Sequence, residues 1–263
     1  STKQEQQELL NIVIVGGGAT GIEVAGILSE MKKFVLPNDY PDMPSSLMHI
    51  YLIEAGPRLL AGMSEESSAH AEQFLREMGV NILLNKRVVD YRDHKVVLED
   101  GTEIATRTFI WVSGVTGVTI GNLDASLIGR GGRIKVDSFN RVEGMNNVFA
   151  IGDQCIQLAD ENYPNGHPQL AQVAIQQGEL LAKNLVRMEK GREMKPFHYR
   201  NLGSMATVGR NRAVAEFSKV KMQGWFAWVM WLVVHLRSIL GVRNKVIVLL
   251  NWVWNYFTYD QSM

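Results

Sequence analysis

One cysteine, Cys155, stands among the 263 residues. A single thiol excludes an intrachain disulfide, a C-x-x-C redox pair and a thiolate-held cluster. The six histidines are scattered, with no H-x-H or H-x-x-x-H spacing, so no metal site is expected. Lys plus Arg and Asp plus Glu both number 27, and a chain without net charge has no global attraction to nucleic acid. No apolar run reaches the roughly 20 residues of a spanning helix. No signal peptide precedes the first strand, which predicts a cytoplasmic setting. Acidic residues are absent between Glu216 and Asp260, while Lys219, Lys221, Arg237, Arg243 and Lys245 are basic. The length suits about two domains with a real core.

What is present is a phosphate-binding pattern near the amino end, in LNIVIVGGGATGIEVAG at Leu10–Gly26. Ile12–Val15 is a β-branched apolar run, the mark of a strand buried on both faces. Glycines follow at Gly16, Gly18 and Gly21, and Ile22–Met31 carries helix spacing. Strand before and helix after give G-x-G-x-x-G its meaning. Gly16 permits the tight turn, Gly18 lets a pyrophosphate approach, and Gly21 lets helix and strand pack closely. The helix N-terminus then offers free N–H groups to the phosphates.

A polar start at Ser1–Glu8 reads as frayed helix or tail. Phe34–Leu47, with Pro37, Pro41 and Pro44, reads as a surface excursion. His49–Ile53 then alternates into Glu54, 33 residues beyond Gly21 where about 20 is usual; the excursion explains the surplus. An acid there accepts hydrogen bonds from adenosine ribose hydroxyls and favours NAD over NADP. The alternative is that Glu54 caps the turn at Gly56–Pro57, and Arg58 is the residue that would meet a 2′-phosphate. The spacing predicts a helix over Ser64–Met78 with Ser64 as N-cap and Gly79 as stop. Strands are predicted at Val80–Leu84, Arg87–Tyr91, Lys95–Leu98 and Thr108–Val112. The last runs into Ser113–Gly114, where small residues let a cofactor lie on the backbone. This order is the outline of a mononucleotide-binding half.

A second block starts near Ile134. Asn147–Ile151 reads as a strand ending in Gly152–Asp153. Pro168 is placed to open a helix through about Met188, on which Gln172 and Gln176 share a face; solvated glutamines are the bland reading. Five of the six tryptophans lie within Trp225–Trp254. In the second half of that stretch Asn244, Asn251 and Asn255 form a polar stripe. Leaving five indoles in water forfeits roughly 1.5–3 kcal/mol each, so they must be covered. Basic residues without acids favour helices lying in a membrane surface, with a dimer interface as the second expectation.

The chain resembles the type II (non-electrogenic) NADH dehydrogenases, single-subunit NADH:quinone oxidoreductases of respiratory membranes. The resemblance rests on VIVGGGATGIEVAG (Val13–Gly26), IEAGPRLL (Ile53–Leu60), WVSGV (Trp111–Val115) and VFAIGDQC (Val148–Cys155). LAQVAIQQG (Leu170–Gly178), GSMATVGRNRAV (Gly203–Val214) and the tryptophan-rich tail are the more specific carriers. It implies a Rossmann-like α/β fold of the two-dinucleotide flavoprotein type with C-terminal amphipathic helices. The expected division is 9–118 for NADH, 119–195 for the returning part of an FAD domain and 196–263 for membrane association.

By the same resemblance, Gly16, Gly18, Gly21 and Glu54 hold NADH; Gly17, Ala19 and Thr20 of the same turn are further expected contacts, as are Ser113 and Gly114, for which a plain turn is the alternative. Glu23 matches a glutamate near the nicotinamide and quinone region, against the plain reading of an acid favoured by the helix dipole. Gly152 and Asp153 match the FAD ribitol contact, Ala171 and Gln172 the flavin ring, and Gln172 with Gln176 the quinone pocket. Family members carry an earlier glycine motif for the ADP half of FAD, whereas this chain has one such unit. Gly129–Arg130–Gly131–Gly132 follows no strand and is not a second. The expectation is therefore a C-terminal portion with an incomplete FAD site, inactive alone. Its parent would sit peripherally on the cytoplasmic face of a bacterial inner membrane, attached through residues 217–259, and would not pump protons. Alternatives are a non-catalytic NADH-binding or membrane-docking fragment and another quinone-reducing flavoprotein of this fold. A dithiol oxidoreductase and a sulfide:quinone oxidoreductase are opposed by the lone cysteine.

Overall fold

Asn11–Val15 (β1) is buried along its whole length, as expected of a strand with neighbours on both edges. The computed structural model that shows this describes residues 3–42, 45–218 and 220–258, without the side chains of 3, 4, 255, 257 and 258. Expectations resting on Ser1, Pro44, Lys219, residue 259, Asp260 and the Asn255 side chain fall outside the described residues. The chain divides into two units, one of residues 1–113 with 203–263 and one of residues 114–202.

In the first unit a helix over Lys3–Leu10 (α1) leads into β1, and Ala19–Glu30 (α2) follows the glycine turn. Within the expected excursion a π-helical turn at Met31–Val35 continues into Leu36–Asp39 (α3). His49–Ile53 (β2), the helix Glu65–Glu77 (α4) and Val80–Leu83 (β3) come next. Ser64 caps α4 as expected, its side chain accepting from the Ser67 amide. A meander of Val88–Arg92 (β4), Lys95–Leu98 (β5) and Glu103–Ala105 (β6) precedes Thr108–Trp111 (β7). The parallel sheet runs β3-β2-β1-β7, with β1 paired to β2 from Asn11↔His49 to Val15↔Ile53. Ile14, Ile22, Leu52 and Leu75 are fully buried in its core, each worth about 1.5–3 kcal/mol of apolar burial.

The second unit holds a short parallel pair, Ile134–Val136 (β8) and Cys155–Gln157 (β9), and the helix Ala171–Glu189 (α5). Two expectations are corrected here. Asn147–Ile151 is not a regular strand: it pairs through an isolated bridge at Phe149↔Arg141. Its other bonds, Val142 N–H to the Val148 carbonyl and Ala150 N–H to the Asn140 carbonyl, close a tight loop instead of a ladder. Nor does Pro168 open the helix, because Leu170 is the N-cap. His167 is held by Asp160 and Gln169 by the Asp153 carbonyl, which keeps 167–169 in loop conformation.

The chain returns to the first unit as an antiparallel sheet of Ser204–Gly209 (β10), Arg212–Phe217 (β11) and Val220–Gln223 (β12). Helices Gly224–Ser238 (α6) and Val242–Thr258 (α7) follow. Val208 and Val214 join the same core as Ile14 and Leu52. Glu216 accepts from both the amide and the hydroxyl of Ser64, which ties β11 to the start of α4. Among the described residues no helix is long and apolar enough to cross a membrane.

Candidate functional site

The turn after β1 is built by close approach. Gly16 has φ of 118°, and a Cβ there would lie 2.9 Å from the Ser113 backbone. A Cβ on Gly21 would lie 1.8 Å from the Gly16 carbonyl oxygen, so neither position admits a side chain without rebuilding the turn. Gly18, by contrast, is exposed, and its Cβ direction meets nothing within 4 Å. It is the N-cap of α2, and no side chain caps the helix. The exposed Ala19 and Thr20 follow it. Uncapped amides beside open space are what an anionic diphosphate needs.

Glu54 closes the other wall. Its Oε2 accepts from the Gly17 amide at 2.6 Å and its Oε1 from the Gly56 amide at 2.7 Å. The carboxylate thus braces the glycine turn and caps its own turn together. Each carboxylate oxygen carries further lone pairs for a sugar hydroxyl. Arg58 donates to the carbonyls of Met63 and Ala61 at 2.8 and 2.9 Å, so its guanidinium is spent on its own loop. Ser113 backs Gly16, and Gly114, at φ of 79°, faces open space. Glu23 is half-buried on the second turn of α2, where its Oε1 accepts from the Thr207 amide at 3.4 Å. It also lines a cavity with Thr207, Trp228 and Trp231.

In the second unit, Gly152 (φ 65°) and Asp153 form a short 3-10 turn. Asp153 is exposed, as is Ala171 at the first turn of α5. The two chosen glutamines already hold backbone. Gln176 donates to the Arg200 carbonyl at 2.9 Å and accepts from the Arg200 amide at 3.1 Å. Gln172 accepts from the Leu202 amide at 3.0 Å. Sequence reasoning passed over Gln177, which is buried and accepts from the Gly152 amide at 2.6 Å. The available signal was its place with Val173 and Asn184 on the buried face of α5, since a buried amide demands a partner. Cys155 beside it is buried, and burial pushes its thiol up, which makes it an inert thiol.

The loop into α5 rests on a buried pair, His167 Nε2 to Asp160 Oδ2 at 3.0 Å. Arg133, itself buried, donates to the carbonyls of Cys155 and His167 at 2.6 and 3.1 Å. The hydrogen bond from His167 holds the Asp160 carboxyl below the usual carboxylate range. A depressed acid stabilises the fold fully above its unfolded pKa, and that contribution is lost as pH falls through the folded value. Asp160→Asn is therefore expected to lower stability at neutral pH and to flatten the acid limb below about pH 5. Urea midpoints measured across that range would show it, and parallel curves for the two proteins would refute it.

A glycine turn at one end of a parallel sheet and a tryptophan-rich tail agree with the family models that the chain matches. Residues 1–178 match the pyridine nucleotide-disulphide oxidoreductase family model, and residues 201–259 match the NDH2 C-terminal domain. The type II NADH:quinone oxidoreductase NdhA of Mycobacterium tuberculosis is 35% identical over 261 residues, 94% of this chain and 54% of that protein. The mitochondrial internal alternative NAD(P)H-ubiquinone oxidoreductase A1 of Arabidopsis thaliana is 32% identical over 97% of this chain and 52% of its own length. The chain thus spans about half the length of the curated relatives it matches. The solved structure of NDH2 from Plasmodium falciparum in complex with NADH has the same fold. Its TM-score is 0.87 at 19% identity, over 98% of this chain and 68% of that one. The chain thus belongs to the pyridine nucleotide-disulphide oxidoreductase family, whose model matches residues 1–178, and its residues 201–259 carry the NDH2 C-terminal domain of the type II NADH dehydrogenases.

Proposed function

We propose that this chain supplies the NADH-binding and membrane-facing parts of an NADH:quinone oxidoreductase. The observation that carries the reading is the uncapped start of α2, with Gly18 facing open space and Glu54 fixed beside it. The diphosphate of NADH would take the amides of Ala19, Thr20 and Gly21, and the ribose hydroxyls would meet Glu54. With Arg58 committed to its own loop, nothing at that spot recommends a 2′-phosphate, and NADH is favoured over NADPH. Ser113 and Gly114 would flank the cofactor, and Glu23 would orient the nicotinamide end or deliver a proton.

Gly152, Asp153, Ala171 and Gln172 would hold the sugar chain and ring of FAD, which when bound supplies hydride acceptance and two-electron delivery to a quinone. The chain's one glycine cradle is assigned to NADH, so its FAD site is partial. The 9–118 stretch is read as the NADH domain, 119–195 as FAD-side and 196–263 as the membrane segment. Residues 217–259 would rest on a lipid surface, on the cytoplasmic face of a bacterial inner membrane, with a second copy as the alternative cover. On its own, the chain is expected to bind NADH without turnover.

Titration calorimetry with NADH and NADPH tests the first step: saturable heat with NADH is expected, and its absence from a folded sample would sink the proposal. In a holoenzyme assay, Gln176→Ala is expected to raise the quinone KM about tenfold and spare NADH oxidation by ferricyanide. If both activities fell together, Gln176 would serve only to brace Arg200.

A further inference from the structure

Asn147–Ile151 has the composition of a strand, and one of its edges is open. Its bonds to the facing arm use the Val148 carbonyl and the Ala150 amide. Backbone groups alternate sides along an extended chain, so those of Asn147, Phe149 and Ile151 point the other way. Among the described residues none bonds them. No residue of the stretch is buried. A row of unpaired N–H and C=O groups is a template for a further strand. Asn-Val-Phe-Ala-Ile also carries neither the charge nor the proline with which natural edges refuse one.

Helix α5 has an open face as well. Val173, Gln177 and Asn184 form its buried stripe. On the opposite side, at helical spacing, stand Ala171, Ile175, Ala182 and Val186, all exposed and all apolar, with Glu179 at the margin. Ile175 is 60% exposed. The outer face of a surface helix is normally charged or polar, so this one is built to be covered. Edge and face adjoin. A Cβ on Gly178 would lie 3.6 Å from Ile151 Cδ1, and one on Gly152 would lie 3.1 Å from the Ala174 Cβ. In the same unit β8 and β9 are a parallel pair of two strands, whereas parallel sheets occur with both faces covered.

The chain spans 54% of NdhA and 52% of the Arabidopsis relative, so about half of such a protein is polypeptide that the match leaves over. We infer that the edge at Asn147–Ile151 and the Ala171–Val186 face of α5 form one docking surface for that remaining half. It would enter as an added strand beside Phe149 and lay an apolar layer on α5. The inference rests on reading 119–195 as FAD-side, and it names the partner of that partial site. It also asks for more than a continuous chain would show: the two parts should associate when supplied as separate polypeptides.

The test mixes the full chain with the portion of NdhA outside the matched residues, expressed separately, and follows size-exclusion light scattering and amide hydrogen exchange. A one-to-one complex is expected, with exchange at the Phe149 and Ile151 amides slowed about tenfold or more. Ile175→Lys puts a charge on the open face of α5 and should weaken the complex about 30-fold, the scale of losing one central contact. Val89→Lys, at an exposed position on β4 of the first unit, should leave it intact. No complex, a complex without protection of Phe149 and Ile151, or equal losses in the two variants would each overturn the proposal. So would a dimer of the chain alone showing the same protection, which would give the surface to a second copy. Calorimetry with NADH on the same samples separates the readings. NADH heat without a complex leaves the NADH site standing and removes the docking surface, and a complex without NADH heat does the reverse.

Discussion

Gly26→Ala is expected to lower the stability of the chain by about 3 kcal/mol, at the upper end of what overpacking costs. The new Cβ would lie 1.9 Å from the Val208 carbonyl oxygen and 2.6 Å from its carbon. That obstacle is backbone in β10, not a side chain that could rotate away. Gly26 is buried on α2, so relief requires that helix to move off the sheet made by the returning chain. The same displacement would drag the Gly18–Gly21 turn, and NADH affinity should fall with stability. Urea denaturation followed by tryptophan fluorescence measures the first effect and calorimetry the second. An unchanged urea midpoint would show that the helix does not lean on β10 as described.

Glu54→Ala is expected to weaken NADH binding by about 10–100-fold and to cost about 3 kcal/mol of stability, the sum of two hydrogen bonds to a charged acceptor. The carboxylate receives the amides of Gly17 and Gly56, and Gly17 is buried, so truncation strands a donor with no water to take it. Glu54→Gln retains one acceptor oxygen and should fall between the two. If stability fell while NADH affinity held, Glu54 would be a brace for the turn and the ribose assignment would be wrong. If affinity fell in Gln and Ala variants alike while stability held in Gln, the charge itself would be what the ribose reads.

Much of this was legible in the order of residues. The β-branched run at Ile12–Val15 and the alternation at His49–Ile53 marked strands by their burial pattern, and both pair in the parallel sheet. Ser64 announced α4 as a cap does. Elsewhere local reading failed for identifiable reasons. Pro168 suits the first turn of a helix, yet the Asp160–His167 pair, joined across the loop, keeps it three residues outside. Asn147–Ile151 has strand composition, but its partner is the far arm of a tight loop, with room for a bridge and no ladder. Gln172 and Gln176 stood out on one helix face, while Gln177, one step round, turned inward to hold Gly152.

The amino-acid sequence by itself determined the glycine turn, the parallel sheet around it and the character of the tail. These follow from the backbone limits of glycine, the pairing of β-branched runs and the cost of wetting indoles, all of which act over a few residues. Only the tertiary structure decided that Gly26 must be bare against Val208 and that Glu30 meets the Arg210 amide. Those facts depend on which backbone or charge arrives from up to some 180 residues away, and no local pattern records that arrival.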